Sequence, residues 1–254
     1  MKSSTSRATS FDAAAGQYAT SRPSYPAELL DTIEEFTETG LAGSRVADVG
    51  AGTGIATVLL RDRGAEVLAV EPGEAMAREC RERIANVPVV RGDGNALPLA
   101  TDSRDLITYA QSWQWTDPSR SVPEALRVLR PGGALAIWWN TTAFDVPWIS
   151  DQHERIARHC GVTPKPSVRP SDSDAVRLAG LTGLRVMRRH LRWSRTVPLD
   201  THLANIGSRS AFLVLDEGDR RAFLTRERER LAEAFPAGEV EESYVVDLLV
   251  ARRR

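Results

Sequence analysis

Short apolar runs alternate with amphipathic segments between residues 45 and 139. Apolar runs bounded by glycine or charged residues predict β-strands. The runs are Arg45–Val49, Glu66–Val70, Val87–Arg91, Leu106–Tyr109 and Ala134–Trp139. Intervening segments with helical spacing predict helices over Ile55–Arg63, Gly73–Ile84 and Val122–Leu129. This alternation favours a parallel sheet covered by helices on both faces.

The flanking segments carry different patterns. Apolar residues at helical spacing predict a helix over Ala27–Thr39. After residue 140, helices are predicted over Ile149–Cys160, Leu199–Ile206 and Asp219–Phe235, and strands over Leu184–Thr196 and Glu239–Arg252. A Pro/Ser-rich stretch at Gly161–Asp174 predicts a loop. The Ser/Thr-rich residues 1–10 predict a disordered tail, followed by a short helix over residues 11–21.

Three glycines follow the first predicted strand at alternating positions, in the stretch "DVGAGTGIAT". A glycine turn between a strand and a helix suits a nucleotide or an anion. The glycines admit the ligand close to the backbone, and the helix N–H groups point at it. The dinucleotide fingerprint requires GxGxxG, but Ile55 stands where its third glycine would be. The spacing therefore argues against an NAD(P)-dependent oxidoreductase.

Asp48 stands within the first predicted strand, at a position that is apolar in dinucleotide-binding strands. A buried carboxylate is costly without a partner. An ammonium group, contacted directly or through water, would be a suitable one. S-adenosylmethionine (SAM) carries such a group at its methionine end, whereas NAD does not.

Four stretches occur in the order found in the class I SAM-dependent methyltransferases, which the chain resembles. They are "VADVGAGTG", "LAVEP", "RGDGNALP" and "EALRVLRPGGALAI". The resemblance implies a three-layer α/β/α Rossmann-like fold with a seven-stranded, mostly parallel sheet and a lid. The last strand is expected to be antiparallel and inserted beside strand five. Lid helices are expected at residues 11–39, a SAM-binding core at 40–145, and lid insertions with the last two strands at 146–254.

The resemblance also assigns cofactor contacts residue by residue. The acidic residue after the second strand holds the ribose hydroxyls in that family, and it maps to Glu71. The acidic residue of the third motif bonds the adenine amine and maps to Asp93, while Met76 matches a position that often lies on the adenine. The other matched positions are Asp48, Gly50, Ala51, Gly52, Gly54, Pro72, Gly94 and Gln111.

Three further stretches resemble the trans-aconitate methyltransferase-type subgroup: "FDAAAGQYATSRPSYP", "AQSWQWTD" and "WWNTTAFDVPW". In that subgroup an N-terminal tyrosine and arginine close over the methionine carboxylate, and they map to Tyr18 and Arg22. An arginine fork suits a carboxylate. The sequence departs at Gln114, where many relatives carry histidine. Beyond residue 150 the resemblance is weak, so the substrate does not transfer with it.

Aromatic residues after strands four and five are candidates for the substrate pocket, because their faces suit a planar molecule or a sulfonium. The aromatic candidates are Trp113, Trp115 and Trp148, and the polar candidates for the same pocket are Asn140 and Arg209. Arg209 could reach an anionic substrate, and an ordinary surface arginine is an equal alternative. Trp138 and Trp139 cannot both face the pocket, because neighbours on a strand point to opposite faces.

His153 and His202 are the weak candidates for a general base. For each of them, a solvent-facing helix position is the favoured alternative. The sequence therefore assigns a catalytic role to no residue.

Composition limits the acceptor. The 254 residues are 42% hydrophobic, enough for one core with a lid, and the net charge is −1, so no global basic footprint for nucleic acid is present. Two cysteines cannot form a zinc site alone, and no metal is predicted. An N-terminal apolar run and a membrane-length apolar segment of about 20 residues are both lacking. We expect a cytoplasmic bacterial protein, monomeric or homodimeric, without nucleic-acid or membrane partners.

The sequence thus predicts methyl transfer from SAM to a small organic molecule, with S-adenosylhomocysteine as the other product. O-methylation is favoured, because a carboxylate acceptor needs no base. One alternative is a SAM-binding protein of this fold without methyl transfer, either a cyclase or a non-catalytic partner subunit. Another is a protein or nucleic-acid methyltransferase, which a basic cleft would favour.

Overall fold

A computed structural model describes residues 22–161, 184–213 and 215–253. The helices are α1 Ala27–Thr37, α2 Ile55–Asp62, α3 Glu74–Arg83, α4 Pro118–Val128, α5 Pro147–His159, α6 Leu199–Gly207, α7 Ser210–Leu213 and α8 Glu217–Ala234, with a 3₁₀ turn at Trp113–Trp115. The strands are β1 Arg45–Val49, β2 Glu66–Glu71, β3 Val89–Arg91, β4 Arg104–Ala110, β5 Leu129–Thr142, β6 Arg185–Pro198 and β7 Glu239–Arg252. The predicted tail, the first short helix and Tyr18 lie outside the described residues, as does the predicted loop beyond Gly161.

The strands form one seven-stranded sheet in the order β3-β2-β1-β4-β5-β7-β6. Strands β1 to β5 pair in parallel. Strand β7 runs antiparallel to β5. The Arg253 amide donates to the Gly133 carbonyl at 2.8 Å, and the Ala143 amide donates to the Ser243 carbonyl at 3.1 Å. The predicted Rossmann-like fold and the insertion of the last strand beside strand five are confirmed.

The order of the strands reverses at β1, because β2 lies on one side of it and β4 on the other. Open α/β sheets bind ligands at such a switch point, outside the carboxyl ends of the strands. The glycine turn follows the end of β1, and Gln111 follows the end of β4. The topology therefore brings these two predicted site segments to the same edge of the sheet.

The fifth strand is longer than predicted. It begins at Leu129, directly after α4, and continues to Thr142. Arg104 pairs with Leu129 and Leu106 pairs with Ala134, so the residues between those partners form a bulge in β5. Residues 130–133 ("RPGG"), which lie between the predicted helix Val122–Leu129 and the predicted strand Ala134–Trp139, belong to this bulge in β5.

The chain divides into two compact units. Among the described residues, the sheet unit comprises residues 24–140, 184–191 and 246–253, and the helical unit comprises residues 22–23, 141–161, 192–213 and 215–245. The core of the sheet unit packs Val122, Ala125 and Val128 of α4 with Ile107 of β4 and Leu135 of β5. The core of the helical unit gathers apolar residues of α5, α6, α7, α8 and β7: Ile156, Leu199, Leu203, Ile206, Phe212, Phe223, Leu231 and Val240.

Candidate functional site

The glycine turn combines two tightly packed glycines with an open one. Gly50, Gly52 and Gly54 all have positive φ, at 68°, 59° and 85°. A Cβ atom on Gly50 would lie 2.4 Å from the Ser112 Cβ, and one on Gly54 would lie 2.2 Å from the Ile84 Cδ1. A Cβ atom on Gly52 would meet nothing within 4 Å. The backbone at Gly52 therefore leaves an open cradle at the carboxyl end of β1.

Glu71 ties the glycine turn to the turn after β2. Its Oε2 accepts from the Gly52 amide at 2.8 Å, and its Oε1 accepts from the Gly73 amide at 2.7 Å. The residue is 7% exposed. Each carboxylate oxygen has a further lone pair beyond the one that a single amide uses. Glu71 therefore joins the two turns and shapes the cradle at Gly52.

Asp48 is fully buried, and both of its carboxylate oxygens accept hydrogen bonds. The hydroxyl of Thr57 on α2 donates to Oδ2 at 2.6 Å, and the hydroxyl of Thr108, its register partner on β4, donates to Oδ1 at 2.8 Å. Burial raises the pKa of Asp48, and the two threonine bonds act in the opposite direction. Two threonines are therefore partners of Asp48, and its contact with the ammonium group of the cofactor stays a prediction.

Asp93 is exposed after β3 and shapes its own turn. Its Oδ1 accepts from the Asn95 amide at 2.9 Å and from Nδ2 of Asn95 at 3.0 Å. Gly94 is enclosed by Tyr109, Thr116 and Val49. Asp93 therefore stabilises the turn formed by "GDGN", and its contact with adenine stays a prediction.

Three more predicted cofactor residues flank these turns. Ala51 lies between Gly50 and Gly52, and its amide donates to the Val70 carbonyl at 3.2 Å. Pro72 is exposed after β2, and Met76 is buried on α3. Their contacts with a cofactor remain predictions.

Gln111 adopts the left-handed conformation, with φ 60°, directly after β4. Its amide donates to the Trp138 carbonyl at 2.9 Å, and its Nε2 donates to the Asn140 carbonyl at 3.0 Å. Left-handed backbone is uncommon outside glycine and is retained where surrounding contacts hold it. Gln111 and Asn140, predicted for cofactor and acceptor respectively, are thus brought together in the sheet unit.

The tryptophans of the sheet unit divide between core and surface. Trp113, expected in the substrate pocket, is 1% exposed and packs edge-on against Tyr109, with ring centroids 4.8 Å apart. The structure therefore places it in the core. Trp138 is buried, and half-buried Trp139 donates from Nε1 to Oε1 of Gln114 at 2.8 Å. As expected, those two neighbours do not share a face. Trp115 is half-buried on the 3₁₀ turn.

His202 lies in a buried polar network of the helical unit. Its Nδ1 bonds Oε1 of Glu242 at 2.7 Å, and its Nε2 lies 3.0 Å from Nε2 and 3.1 Å from Oε1 of the Gln152 amide. The residue is 3% exposed. Neither sequence interpretation fits, because the ring is not solvent-facing and both nitrogens are engaged. His202 is therefore not available as a general base in this structure.

His153 and Arg209 also lie in the helical unit, and both are half-buried. The Nδ1 atom of His153 is buried without a hydrogen-bond partner, and Phe144 packs edge-on against the ring at 4.6 Å. Burial and the charge of Arg209 lower the pKa of His153. A neutral imidazole at neutral pH can accept a proton, so His153 stays a candidate base.

The remaining two predicted residues of the helical unit have partners within it. Arg22, expected to hold a methionine carboxylate, donates from Nη2 to the Ser208 carbonyl at 3.1 Å. Trp148 packs edge-on against Phe235 at 5.1 Å and against His202 at 5.7 Å. Their predicted contacts with ligands remain predictions.

Three positioning residues were missed from the sequence. Thr57 and Thr108 hold Asp48, and the Ser112 hydroxyl donates to the Val49 carbonyl at 2.6 Å. The signal for Thr108 was a polar residue within the apolar strand "LITY". Nothing local marks Ser112, because its partner is 63 residues away.

Cys80 is expected to resist thiol reagents in the native protein. It is fully buried on α3, and a Cβ on Gly54 would lie 2.9 Å from its Sγ. Burial, with the nearby charges of Asp48 and Glu71, raises the pKa of Cys80 to about 12. Since the thiolate is the reactive form, Ellman's reagent at pH 8 should label Cys80 only after urea is added. The Cys160→Ser variant isolates this site, and rapid labelling of that folded variant would contradict the packing.

Comparisons with known proteins agree with this geometry. The family profile described as a methyltransferase domain matches residues 47–137. A malonyl-[acyl-carrier protein] O-methyltransferase of Methylococcus capsulatus is 32% identical over 203 residues, which cover 76% of this chain and 71% of that relative. The chain belongs to the class I SAM-dependent methyltransferases. The narrower trans-aconitate-type resemblance stays a prediction.

Two further matches show how much of the chain is similar to known methyltransferases. An uncharacterised methyltransferase of Mycobacterium bovis is 40% identical over 149 residues. The match covers 59% of this chain and 59% of that relative, so it spans less than two thirds of the relative's length. A solved structure from Anaeromyxobacter dehalogenans, provisionally named a type II methyltransferase, superposes with a TM-score of 0.68 at 24% identity. The superposition covers 91% of this chain and 97% of that one, and it supports the fold. No described helix is long and apolar enough to cross a membrane.

Proposed function

We propose that this methyltransferase transfers the methyl group of SAM to a small organic acceptor. The observation that carries the proposal is the open cradle at Gly52, bounded by the Glu71 carboxylate at the switch point of the sheet. The Glu71 carboxylate and the position at the switch point, rather than the opening alone, distinguish this turn from other open glycine turns of the chain. Membership of the SAM-dependent family supports the same cofactor.

The residues of the sheet unit fit the cofactor that the family uses. The Glu71 carboxylate lies beside the cradle and is the type of acceptor that ribose hydroxyls require. Asp93 presents an exposed carboxylate after β3, which suits an adenine amine. Asp48 holds α2 and β4 through Thr57 and Thr108, and so fixes the strand end from which the turn departs. When bound, SAM supplies an electrophilic methyl group.

We propose O-methylation as the reaction class. Methyl transfer needs alignment and exclusion of water more than acid–base chemistry. The engaged nitrogens of His202 remove one of the two candidate bases, which favours an acceptor oxygen that is already anionic. The Methylococcus capsulatus relative is named as an O-methyltransferase, which supports this choice.

Replacing Glu71 with glutamine is expected to weaken binding of S-adenosylhomocysteine at least tenfold, about 1.4 kcal/mol. The amide retains the volume but has only one acceptor oxygen, so it cannot serve both turn amides and a ribose. Isothermal titration calorimetry measures the change. Glu66→Gln is the matched control, because Glu66 is exposed at the opposite end of the same strand.

Two results would contradict the proposal. If Glu71→Gln binds S-adenosylhomocysteine as tightly as Glu66→Gln does, the cradle does not bind the cofactor. If wild type binds S-adenosylhomocysteine but releases none from SAM across panels of carboxylates, phenols and amines, the alternative of a SAM-binding protein without methyl transfer gains support. A methylated oxygen identified by mass spectrometry would establish the reaction class.

A further inference from the structure

Gln114 joins two strand ends of the sheet unit, although its side chain is exposed. Its Oε1 accepts from Nε1 of Trp139 on β5 at 2.8 Å, and its Nε2 donates to the main-chain carbonyl of Gln111, after β4, at 2.5 Å. We call this pair of hydrogen bonds the Gln114 bridge. Fixing a glutamine side chain costs conformational entropy, and water would satisfy an exposed amide equally well. The bridge therefore indicates a role that solvation does not explain.

The two partners of the bridge require an amide at position 114. The indole N–H of Trp139 can only donate a hydrogen bond, and the peptide carbonyl of Gln111 can only accept one. The amide oxygen must therefore face the indole, and the amide nitrogen must face the carbonyl. A carboxylate offers acceptors alone and an ammonium offers donors alone. A glutamate of the same shape would thus fail at one end of the bridge and not at the other.

Gln111 is held in an uncommon conformation by bonds that all lead to β5. Its φ is 60°, and left-handed backbone outside glycine persists where surrounding contacts hold it. Its amide donates to the Trp138 carbonyl at 2.9 Å, and its Nε2 donates to the Asn140 carbonyl at 3.0 Å. The Gln114 bridge adds Trp139, the strand residue between those two. Three consecutive residues of β5 therefore fix the position of Gln111.

The same segment reaches the cradle through Ser112. Its hydroxyl donates to the carbonyl of Val49, the last residue of β1, at 2.6 Å. Its Cβ lies 2.4 Å from the place that a Cβ on Gly50 would occupy, so it packs directly against the glycine turn. Residues 111–114 therefore connect β5 with the glycine turn and form a wall of the cradle on the Gly50 side. A displacement of Gln111 would be passed to this wall, because Ser112 follows it in the chain.

We propose that Gln114 is a positioning residue for the binding of SAM. The Gln114 bridge holds Gln111 and Ser112 in place, and thereby fixes the wall of the cradle against which the cofactor is bound. This inference rests on the proposed function and deepens it, because it adds a residue that acts on the cofactor site through Gln111. Gln114 is exposed and lies outside the core of the sheet unit. Its loss should therefore appear in cofactor affinity rather than in stability.

Two substitutions of Gln114 test the proposal. Gln114→Met removes both bonds of the bridge, whereas Gln114→Glu keeps an acceptor for Trp139 and sets an oxygen against the Gln111 carbonyl. Both variants are expected to bind S-adenosylhomocysteine roughly fivefold or more weakly in calorimetry. Their urea midpoints should equal that of wild type, as is usual for exposed positions. Arg120→Met is the matched control, because Arg120 is exposed on α4 and its side chain bonds no residue of the bridge.

The indole NMR signals report the two ends of the bridge separately. Trp139 gives one of six Nε1–H signals, and its loss in Trp139→Phe assigns it. The signal should shift in Gln114→Met and stay in place in Gln114→Glu, which retains the acceptor. Weaker cofactor binding by both variants would then identify the bond to Gln111 as the one that positions the wall. In the Trp139→Phe background, Gln114→Met should add little to the loss of affinity, because the bridge is already open.

Four results would overturn the positioning role. They are wild-type affinity in Gln114→Met, wild-type affinity in Gln114→Glu, an unshifted Trp139 signal in Gln114→Met, and losses of affinity and urea midpoint that run in parallel. The last of these would show that Gln114 only stabilises the fold. Wild type that fails to bind S-adenosylhomocysteine would contradict the proposed function itself, and the role of Gln114 with it. Wild type that binds it, with affinity independent of Gln114, would contradict the positioning role alone.

Discussion

Gly50→Ala is expected to destabilise the protein by about 3 kcal/mol. Two costs combine at this position. The backbone has φ 68°, a left-handed conformation that penalises any side chain, and the new Cβ would lie 2.4 Å from the Ser112 Cβ. Ser112 cannot easily retreat, because its hydroxyl bonds the Val49 carbonyl at 2.6 Å. Urea denaturation followed by circular dichroism measures the loss.

Gly52→Ala separates the two costs. Its φ is 59°, but its Cβ would meet no atom within 4 Å, so only the backbone penalty of about 1 kcal/mol is expected. If the cradle holds the cofactor, this variant should nevertheless lose S-adenosylhomocysteine binding. A large binding loss with a small stability loss is the signature expected for Gly52. For Gly50→Ala, we expect the loss of stability to be the larger effect and the loss of S-adenosylhomocysteine binding the smaller one.

A double variant tests the overlap itself. Ser112→Gly removes the Cβ that the Gly50→Ala methyl group would strike, which leaves the Ser112 Cα at 3.8 Å as the nearest remaining atom. In that background the penalty of Gly50→Ala should fall to the backbone cost of about 1 kcal/mol. An undiminished penalty would show that Ser112 is not the obstacle and would contradict the packing described for the turn.

The sequence predictions were most accurate where neighbouring residues alone determine the structure. The bounds of Arg45–Val49 and Glu239–Arg252 match the observed strands, because the first is an apolar run before glycines and the second a terminal run after a turn. The motif order predicted the sheet and the place of its last strand. The helix over Val122–Leu129 begins earlier, at Pro118, because Asp117 caps it by accepting from the Ser119 amide.

Predictions about the site required long-range contacts that residue type does not determine. Asp48 was singled out correctly as an unusual buried acid, but its partner Thr108 is 60 residues away. Trp113 was interpreted as a pocket residue because it follows strand four, although its indole points into the core against Tyr109. The environment of His202 depends on Glu242, 40 residues away. Candidate site residues could be identified from the sequence. The orientation of their side chains and their hydrogen-bond partners depend on the fold.

Glu242→Gln is expected to destabilise the protein by about 3 kcal/mol at neutral pH, because it breaks the centre of a buried ionic network. Glu242 is 3% exposed and accepts from Arg195, His202, Asn205 and Tyr244. The amide keeps the shape but leaves Arg195 without its charge partner. Glu241→Gln is the matched control, since Glu241 is the exposed neighbour on the same strand.

The same network predicts a specific acid response. Burial alone would raise the pKa of Glu242, but the bonds from His202 and Asn205 and the charge of Arg195 outweigh it and lower the pKa from 4.5 to about 2. A carboxyl with a depressed folded-state pKa contributes stability fully above its unfolded value and loses that contribution as pH falls through the folded value. The stability difference between wild type and Glu242→Gln should therefore be largest above pH 4.5 and shrink towards pH 2.

A partner substitution decides whether charge is the cause. Once Glu242 is glutamine, Arg195 has lost the carboxylate that pairs with it, so Arg195→Met should recover part of the lost stability in the double variant. If Arg195→Met instead lowers the free energy of unfolding as much in the Glu242→Gln background as in wild type, the two residues are not coupled. The stability lost in Glu242→Gln would then come from the other hydrogen bonds of Glu242. A pH-independent difference between wild type and Glu242→Gln would point the same way, because only an ionised Glu242 makes the stability depend on its titration.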